Sequence, residues 1–118
     1  MYLLDSNILI YHLNGEGAIT SFIKGEMPKF ISVISVTELL AKPSITLEQE
    51  FLITNFLEQF RMLPLDVLVA KKAAEFKRKY NLTFPDAIMA ATAERYNLIL
   101  ITRDKGFKKV SEMRTLAL

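Results

Sequence analysis

Cysteine is absent from this chain, and histidine occurs once, at position 12. A Cys-rich zinc site, a disulfide framework and a thiol nucleophile are thereby excluded, and any histidine-based triad would rest on His12 alone. Glycine and proline are scarce, 4 of each in 118 residues, which argues against a flexible, tail-like role. No apolar run approaches the roughly 18 residues of a membrane span, and Asp5 interrupts the stretch where a signal peptide needs its apolar region. A cytoplasmic protein with no membrane contact is expected. An excess of one charge is lacking too: 15 Lys and Arg against 13 Asp and Glu leave a formal +2, which permits a polyanionic partner without requiring one. What remains is a chain 51% hydrophobic and 24% charged. It suits a single domain spanning 1–118 with a continuous core.

Short apolar runs at Tyr2 to Leu4, Phe30 to Ile34, Met62 to Leu65 and Leu98 to Ile101 have the length and the β-branched or aromatic content of buried strands. Thr115 to Leu118 adds an expected edge strand. Stretches with helical spacing lie between them, such as Phe51, Leu52, Phe56 and Phe60, or Ala70, Ala73, Ala74 and Phe76. Strands alternating with helices predict right-handed crossovers, hence a three-layer α/β/α domain with a central, mainly parallel sheet. Helix starts are expected at Ser35 to Glu38 and Thr46 to Gln49, which have the capping-box form, and at Thr83, with Pro85 in the first turn. Gly15 to Gly17 and Lys42 to Ser44 read as loops.

Four acids fall at expected strand-to-helix junctions: Asp5, Glu38, Asp86 and Asp104. In a parallel sheet these junctions share one edge, where ligands bind, so the carboxylates are expected to converge. Each alone could be a helix cap, worth about 1 kcal/mol. Together they form a cluster of like charges that a divalent cation would compensate. Oxygen-only donors suit Mg²⁺ or Mn²⁺, and the chemistry such a site supports is phosphodiester hydrolysis. Ser6 and Asn7, directly after Asp5, and Thr102, two positions before Asp104, could orient the acids or serve as ordinary turn residues.

The motifs Leu4-Asp5-Ser6-Asn7, Ser35-Val36-Thr37-Glu38-Leu39, Pro85-Asp86-Ala87-Ile88-Met89-Ala90-Ala91-Thr92-Ala93 and Leu100-Ile101-Thr102-Arg103-Asp104, with Phe107 following, resemble in order and spacing the PIN-domain nuclease family, especially its VapC-type toxins. The resemblance spans nearly the whole chain. It implies a PIN-like fold and a metal-dependent endoribonuclease that uses Mg²⁺ or Mn²⁺. Asp5, Glu38, Asp86 and Asp104 match the catalytic acids, with Asp5, Asp86 and Asp104 holding metal, and Asn7, Ser6 and Thr102 support them. It also implies an RNA substrate, a cognate antitoxin and a homodimer. Ser6 replaces the more common Thr and keeps the hydroxyl, and Gly106 stands where some members carry a further acid.

Arg103, Lys105, Lys108 and Lys109 surround Asp104 and are candidates for RNA phosphate contacts, Arg103, Lys105 and Lys108 foremost; the basic run Lys71 to Lys79 reads better as solvated helix surface. His12, with no nucleophile to pair with, reads as an ordinary helix residue. The stretch Thr46 to Phe60 carries more apolar residues than one helix face can bury, which marks it as a surface for a partner. Two rival functions stand beside the nuclease. An aspartyl phosphatase would place a second acid two positions after the first, where this chain has Asn7. A catalytically inactive RNA- or antitoxin-binding module would use the same acids as helix caps only.

Overall fold

Two apolar clusters, one on each side of a parallel sheet, organise the chain. In the computed structural model, which describes residues 1–118, the elements run β1 (Tyr2–Leu4), α1 (Ser6–Leu13), α2 (Gly17–Ile23), β2 (Lys29–Ser32), α3 (Val33–Leu40), α4 (Leu47–Leu57), β3 (Arg61–Leu63), α5 (Val67–Tyr80), α6 (Phe84–Arg95), β4 (Ile99–Ile101), a 3₁₀ turn (Lys105–Lys109) and β5 (Arg114–Leu116). The strands hydrogen-bond in the order β3-β2-β1-β4-β5, every pair parallel. This is the expected three-layer α/β/α architecture, edge strand β5 included.

Side chains alternate across the strands as a pleated sheet requires. Leu3 and Leu100 point into a cluster with Val69, Ala73 and Phe76 of α5 and the Ala87 to Ala91 run of α6. Their neighbours Leu4 and Ile101 point the other way, onto Ile8, Leu9, Ile19, Leu39 and Leu57 from α1 to α4. Burial on both faces explains why the strands read as unbroken apolar runs. The small residues of α6 let it lie close against α5 and the sheet, and seven of its twelve residues are buried. Truncating a fully enclosed side chain such as Phe76 in this layer would cost about 3–5 kcal/mol.

The Thr46 capping box is present in both halves: Gln49 N–H donates to Thr46 Oγ1 at 3.1 Å, and Thr46 N–H donates to Gln49 Oε1 at 3.0 Å. The expected box at Ser35 is not formed. Strand β2 stops at Ser32, whose side chain accepts from Ile34 N–H at 3.1 Å, so α3 begins at Val33, inside the run expected to be strand. Ser35 and Glu38 therefore lie within α3, and Glu38 sits in its last turn rather than at a strand-to-helix junction. The apolar excess of α4 also divides. Ile53, Phe56, Leu57 and Phe60 belong to the core, whereas Phe51 and Leu52 stay 65% and 58% exposed. His12 stacks on Phe56 at 5.0 Å and bonds Thr20 through Nδ1 at 2.9 Å, an ordinary packed helix residue.

Candidate functional site

The strand order reverses direction between β1 and β4, and in an open parallel sheet the carboxyl ends at such a point frame the binding crevice. Asp5 is the first residue after β1, and its N–H still pairs with Ile101 O at 3.1 Å, which delivers its carboxylate to the sheet's end. Thr102, first after β4, donates its hydroxyl to Asp5 Oδ2 at 2.7 Å and accepts from Asp104 N–H at 3.0 Å. One buried threonine thus couples Asp5 to Asp104, and its bond to Asp5 spans 97 positions of sequence.

Ser6 opens α1 and gives its hydroxyl hydrogen to Glu38 Oε1 at 2.7 Å, while its oxygen lies 2.7 Å from Ser35 Oγ. Glu38 itself is exposed. Asp86 stands in the first turn of α6, half-buried, with the Thr83 hydroxyl as its hydrogen-bond partner. Asp104 is exposed and accepts from Gly106 N–H at 2.8 Å. A Cβ at Gly106 would come within 3.1 Å of that same Asp104 oxygen, so a larger residue there would push the carboxylate aside. Asn7, exposed at the second position of α1, has its side chain free at the rim.

The acids sense one another. Burial, 7% residual exposure, pushes the Asp5 carboxyl up to about 6, and the charges of Asp86 and Glu38 add to the rise while the Thr102 hydroxyl and the Ser6 amide oppose it. Asp86 is raised mainly by burial, then by Asp104 and Glu38, with the Thr83 hydroxyl and the Lys109 charge acting against it. Asp86 and Glu38 thus act on Asp5, and Asp104 and Glu38 on Asp86, which links the four carboxylates in one field at the carboxyl edge. Lys109 belongs to that field, a neighbour that reading the sequence had not ranked with Arg103, Lys105 and Lys108.

Capping does not account for most of this set. Asp5 occupies the N-cap position of α1 yet makes no side-chain capping bond. The cap of α6 is Thr83, not Asp86. Glu38 lies at the negative end of α3, where the helix dipole disfavours a carboxylate. Only Asp104 caps, at the short 3₁₀ turn. Asp66, by contrast, is a plain cap that accepts from Val69 N–H at 2.9 Å.

The donors fit a hard divalent cation by chemistry and charge: oxygen alone, several carboxylates and a net negative field. No three of these side chains stand close enough to enclose an ion as they are.

The basic residues divide. Arg103 is engaged by Glu16 through both terminal nitrogens, donates from Nε to Leu118 O at 2.8 Å and lies over the Tyr11 ring at 4.8 Å. Lys105 and Lys108 are exposed, take no part in the chain's ion pairs, and line a polar cleft of about 370 Å³ with Thr102, Asp104 and Thr115. On α5, Lys72 pairs with Glu75 and Lys79 with Glu112, each at 3.1 Å, so both are occupied on the surface.

A family model described as the PIN domain matches residues 2–113. The chain belongs to the PIN domain family. Solved structures resemble this PIN domain along its full length. A toxin-antitoxin complex from Klebsiella pneumoniae is 28% identical, with a TM-score of 0.84 over 98% of this chain and 96% of that one. VapBC2 from Rickettsia felis, bound to a DNA fragment from its promoter, is 18% identical with a TM-score of 0.86 over 99% and 98%. DNA-bound VapBC from Salmonella typhimurium is 21% identical with a TM-score of 0.81 over 98% and 96%. Among curated proteins none matches the chain. No helix of this PIN domain is long and apolar enough to cross a membrane.

Proposed function

We propose that this PIN domain is a metal-dependent endoribonuclease hydrolysing RNA phosphodiester bonds, and that it is the toxin of a toxin-antitoxin pair. The observation that carries the reading is the shared field of four carboxylates at the point where the sheet order reverses, three of which no helix needs as a cap. Asp5, Asp86 and Asp104 would hold Mg²⁺ or Mn²⁺. When bound, the ion lowers the pKa of a water and offsets charge developing on the phosphate. Thr102 holds Asp5 and the backbone of Asp104 in register, Ser6 holds Glu38, and Asn7 offers an amide at the rim. Glu38, more exposed than Asp5, is the acceptor available for a proton from the attacking water. Lys105 and Lys108 present free charge to the RNA backbone, while Arg103, spent on Glu16, shapes the wall of their cleft.

Two partner surfaces follow from exposed apolar residues. A groove of about 480 Å³ runs from Glu38 along Ile10, Leu13, Leu39, Leu52 and Ile53, with Phe51 exposed on the same helix as the last two; its occupant is an apolar antitoxin segment, which would also block the acids. An apolar cavity of about 160 Å³ between α5 and α6, lined by Leu65, Ala70, Ala74 and Phe84, the last 65% exposed, is the face for a second copy in a homodimer.

The deciding experiment is cleavage of RNA by the purified protein with Mg²⁺ or Mn²⁺ and with EDTA. Cleavage should need the cation and vanish in Asp86→Asn, which keeps its fold. Cleavage that survives EDTA or Asp86→Asn removes the metal-site reading, and folded, metal-loaded protein that binds RNA or antitoxin but leaves RNA intact favours the inactive module.

A further inference from the structure

Ser35 lies fully buried in the first turn of α3, 2.7 Å from Ser6 Oγ. A hydroxyl inside a helix usually bonds back to the carbonyl four residues earlier, as Thr92 does in α6 with Ile88 O at 2.7 Å. Ser35, in the first turn, has no carbonyl of its own helix four residues earlier, and its hydroxyl reaches out of that helix to the first residue of α1. The direction of the link follows from counting protons. Each serine carries one hydroxyl hydrogen, and Glu38 Oε1 accepts the one from Ser6. Ser6 therefore spends its hydrogen on Glu38, 2.7 Å away, and its oxygen has to accept from Ser35. The result is a one-way relay, Ser35 to Ser6 to Glu38, in which each bond polarises the next.

Glu38 has little else to hold it. It is exposed, in the last turn of α3, with a long side chain and the Ser6 bond as its anchor. Ser6 follows Asp5 directly, so the residue that anchors Glu38 is the chain neighbour of the buried acid. We propose that Ser35 is a positioning residue, whose buried hydroxyl orients Ser6 and through it Glu38 toward the other carboxylates, and so sets the affinity of the site for a divalent cation. This rests on the metal-dependent reading above. The charge of Glu38 reaches both Asp5 and Asp86, so a carboxylate swung outward weakens the attraction for the ion.

The test is Mn²⁺ binding followed by titration calorimetry, with thermal unfolding measured alongside. Ser35→Ala suits the helix, since alanine is the better helix former, and it removes only the oxygen. Affinity for Mn²⁺ should fall about tenfold, the scale seen when a group behind a metal ligand is lost. Ser35→Thr, which keeps the hydroxyl, should restore most of it. Should Ser35→Ala fail to fold, Ser35→Cys, of similar volume with a weak donor, should show the same loss. In a Glu38→Ala background the Ser35→Ala effect should shrink below twofold, because the relay then ends on nothing. Wild-type affinity in Ser35→Ala, or an equal loss with and without Glu38, overturns the relay and leaves the metal site standing. Wild-type protein that binds no Mn²⁺ overturns the metal-dependent reading itself, and the relay with it.

Discussion

Replacing Asp5 by Asn should stabilise the metal-free protein, and the size of the gain should depend on pH in a defined way. Burial first, then the charges of Asp86 and Glu38, lift the Asp5 carboxyl from 3.8 to about 6. A group whose folded pKa lies above its unfolded value binds more protons in the folded chain, so stability falls as pH rises from the lower value through the higher. At pH 7 the cost of ionising Asp5 is nearly complete, about 3 kcal/mol at 1.36 kcal/mol per pKa unit; at pH 5 it is about half that. Asn carries no charge and keeps an oxygen that can accept from Thr102 Oγ1, the bond that measures 2.7 Å in the wild type. Its amide hydrogens need partners in a buried place, an offset of about 1–2 kcal/mol. The net expectation is a gain of about 1–2 kcal/mol at pH 7 that shrinks toward zero near pH 5.

Urea unfolding of both proteins in EDTA at pH 5, 6, 7 and 8 measures this, and the difference between them cancels the titrations they share. Saturating Mn²⁺ should erase or reverse the gain, because a cation that binds only the folded wild type stabilises it by mass action. An Asp5→Asn protein less stable than wild type at pH 7, or one whose advantage does not grow between pH 5 and pH 7, would refute the account of Asp5 as a carboxylate held against its preference.

Lys105→Gln and Lys108→Gln should each weaken RNA binding and lower the slope of log affinity against log salt by about 0.7, one phosphate contact apiece; an unchanged slope in filter binding would remove them from the interface. Phe51→Asp should fold normally and cost about 2 kcal/mol or more of antitoxin affinity by calorimetry, whereas Phe56→Asp, which strikes the core contact with His12 and Phe60, should instead lower thermal stability. Antitoxin affinity untouched by Phe51→Asp moves that contact off α4. Phe84→Asp should turn a light-scattering dimer into a monomer, and a wild-type protein already monomeric at micromolar concentration would dispose of the homodimer.

The sheet and most of its edge were legible because burial on both faces leaves a plain signature, and Asp5 stands out as an acid directly after an apolar run, Asp104 as one three positions past another. The Thr46 start was legible because both halves of the box are local in sequence. The start of α3 was not, and the reason is physical. Phe30 to Ile34 is β-branched and apolar throughout, and two serines, Ser32 and Ser35, each precede residues that would suit a first turn. The choice falls to Ser32 because the strand pairing runs out there, with Ser32 opposite Leu63 and its side chain already bonded to Ile34 N–H. Pairing across a sheet is a long-range fact that a single stretch of sequence does not carry.

That shift of three residues changes what the site is made of. With the cap at Ser35, Ser35 and Glu38 would satisfy each other's backbone amides and neither side chain would be left to reach across to another element. With the cap at Ser32, both lie inside the helix, and both side chains are free to meet Ser6. A glutamate in the last turn of a helix, against the dipole, is then a local cost with a stated return: its carboxylate faces α1 at the sheet's carboxyl edge instead of solvent beyond it. The serine expected to be a cap becomes the buried donor behind that carboxylate, and the acid expected to complete that cap becomes the one whose position two helices fix.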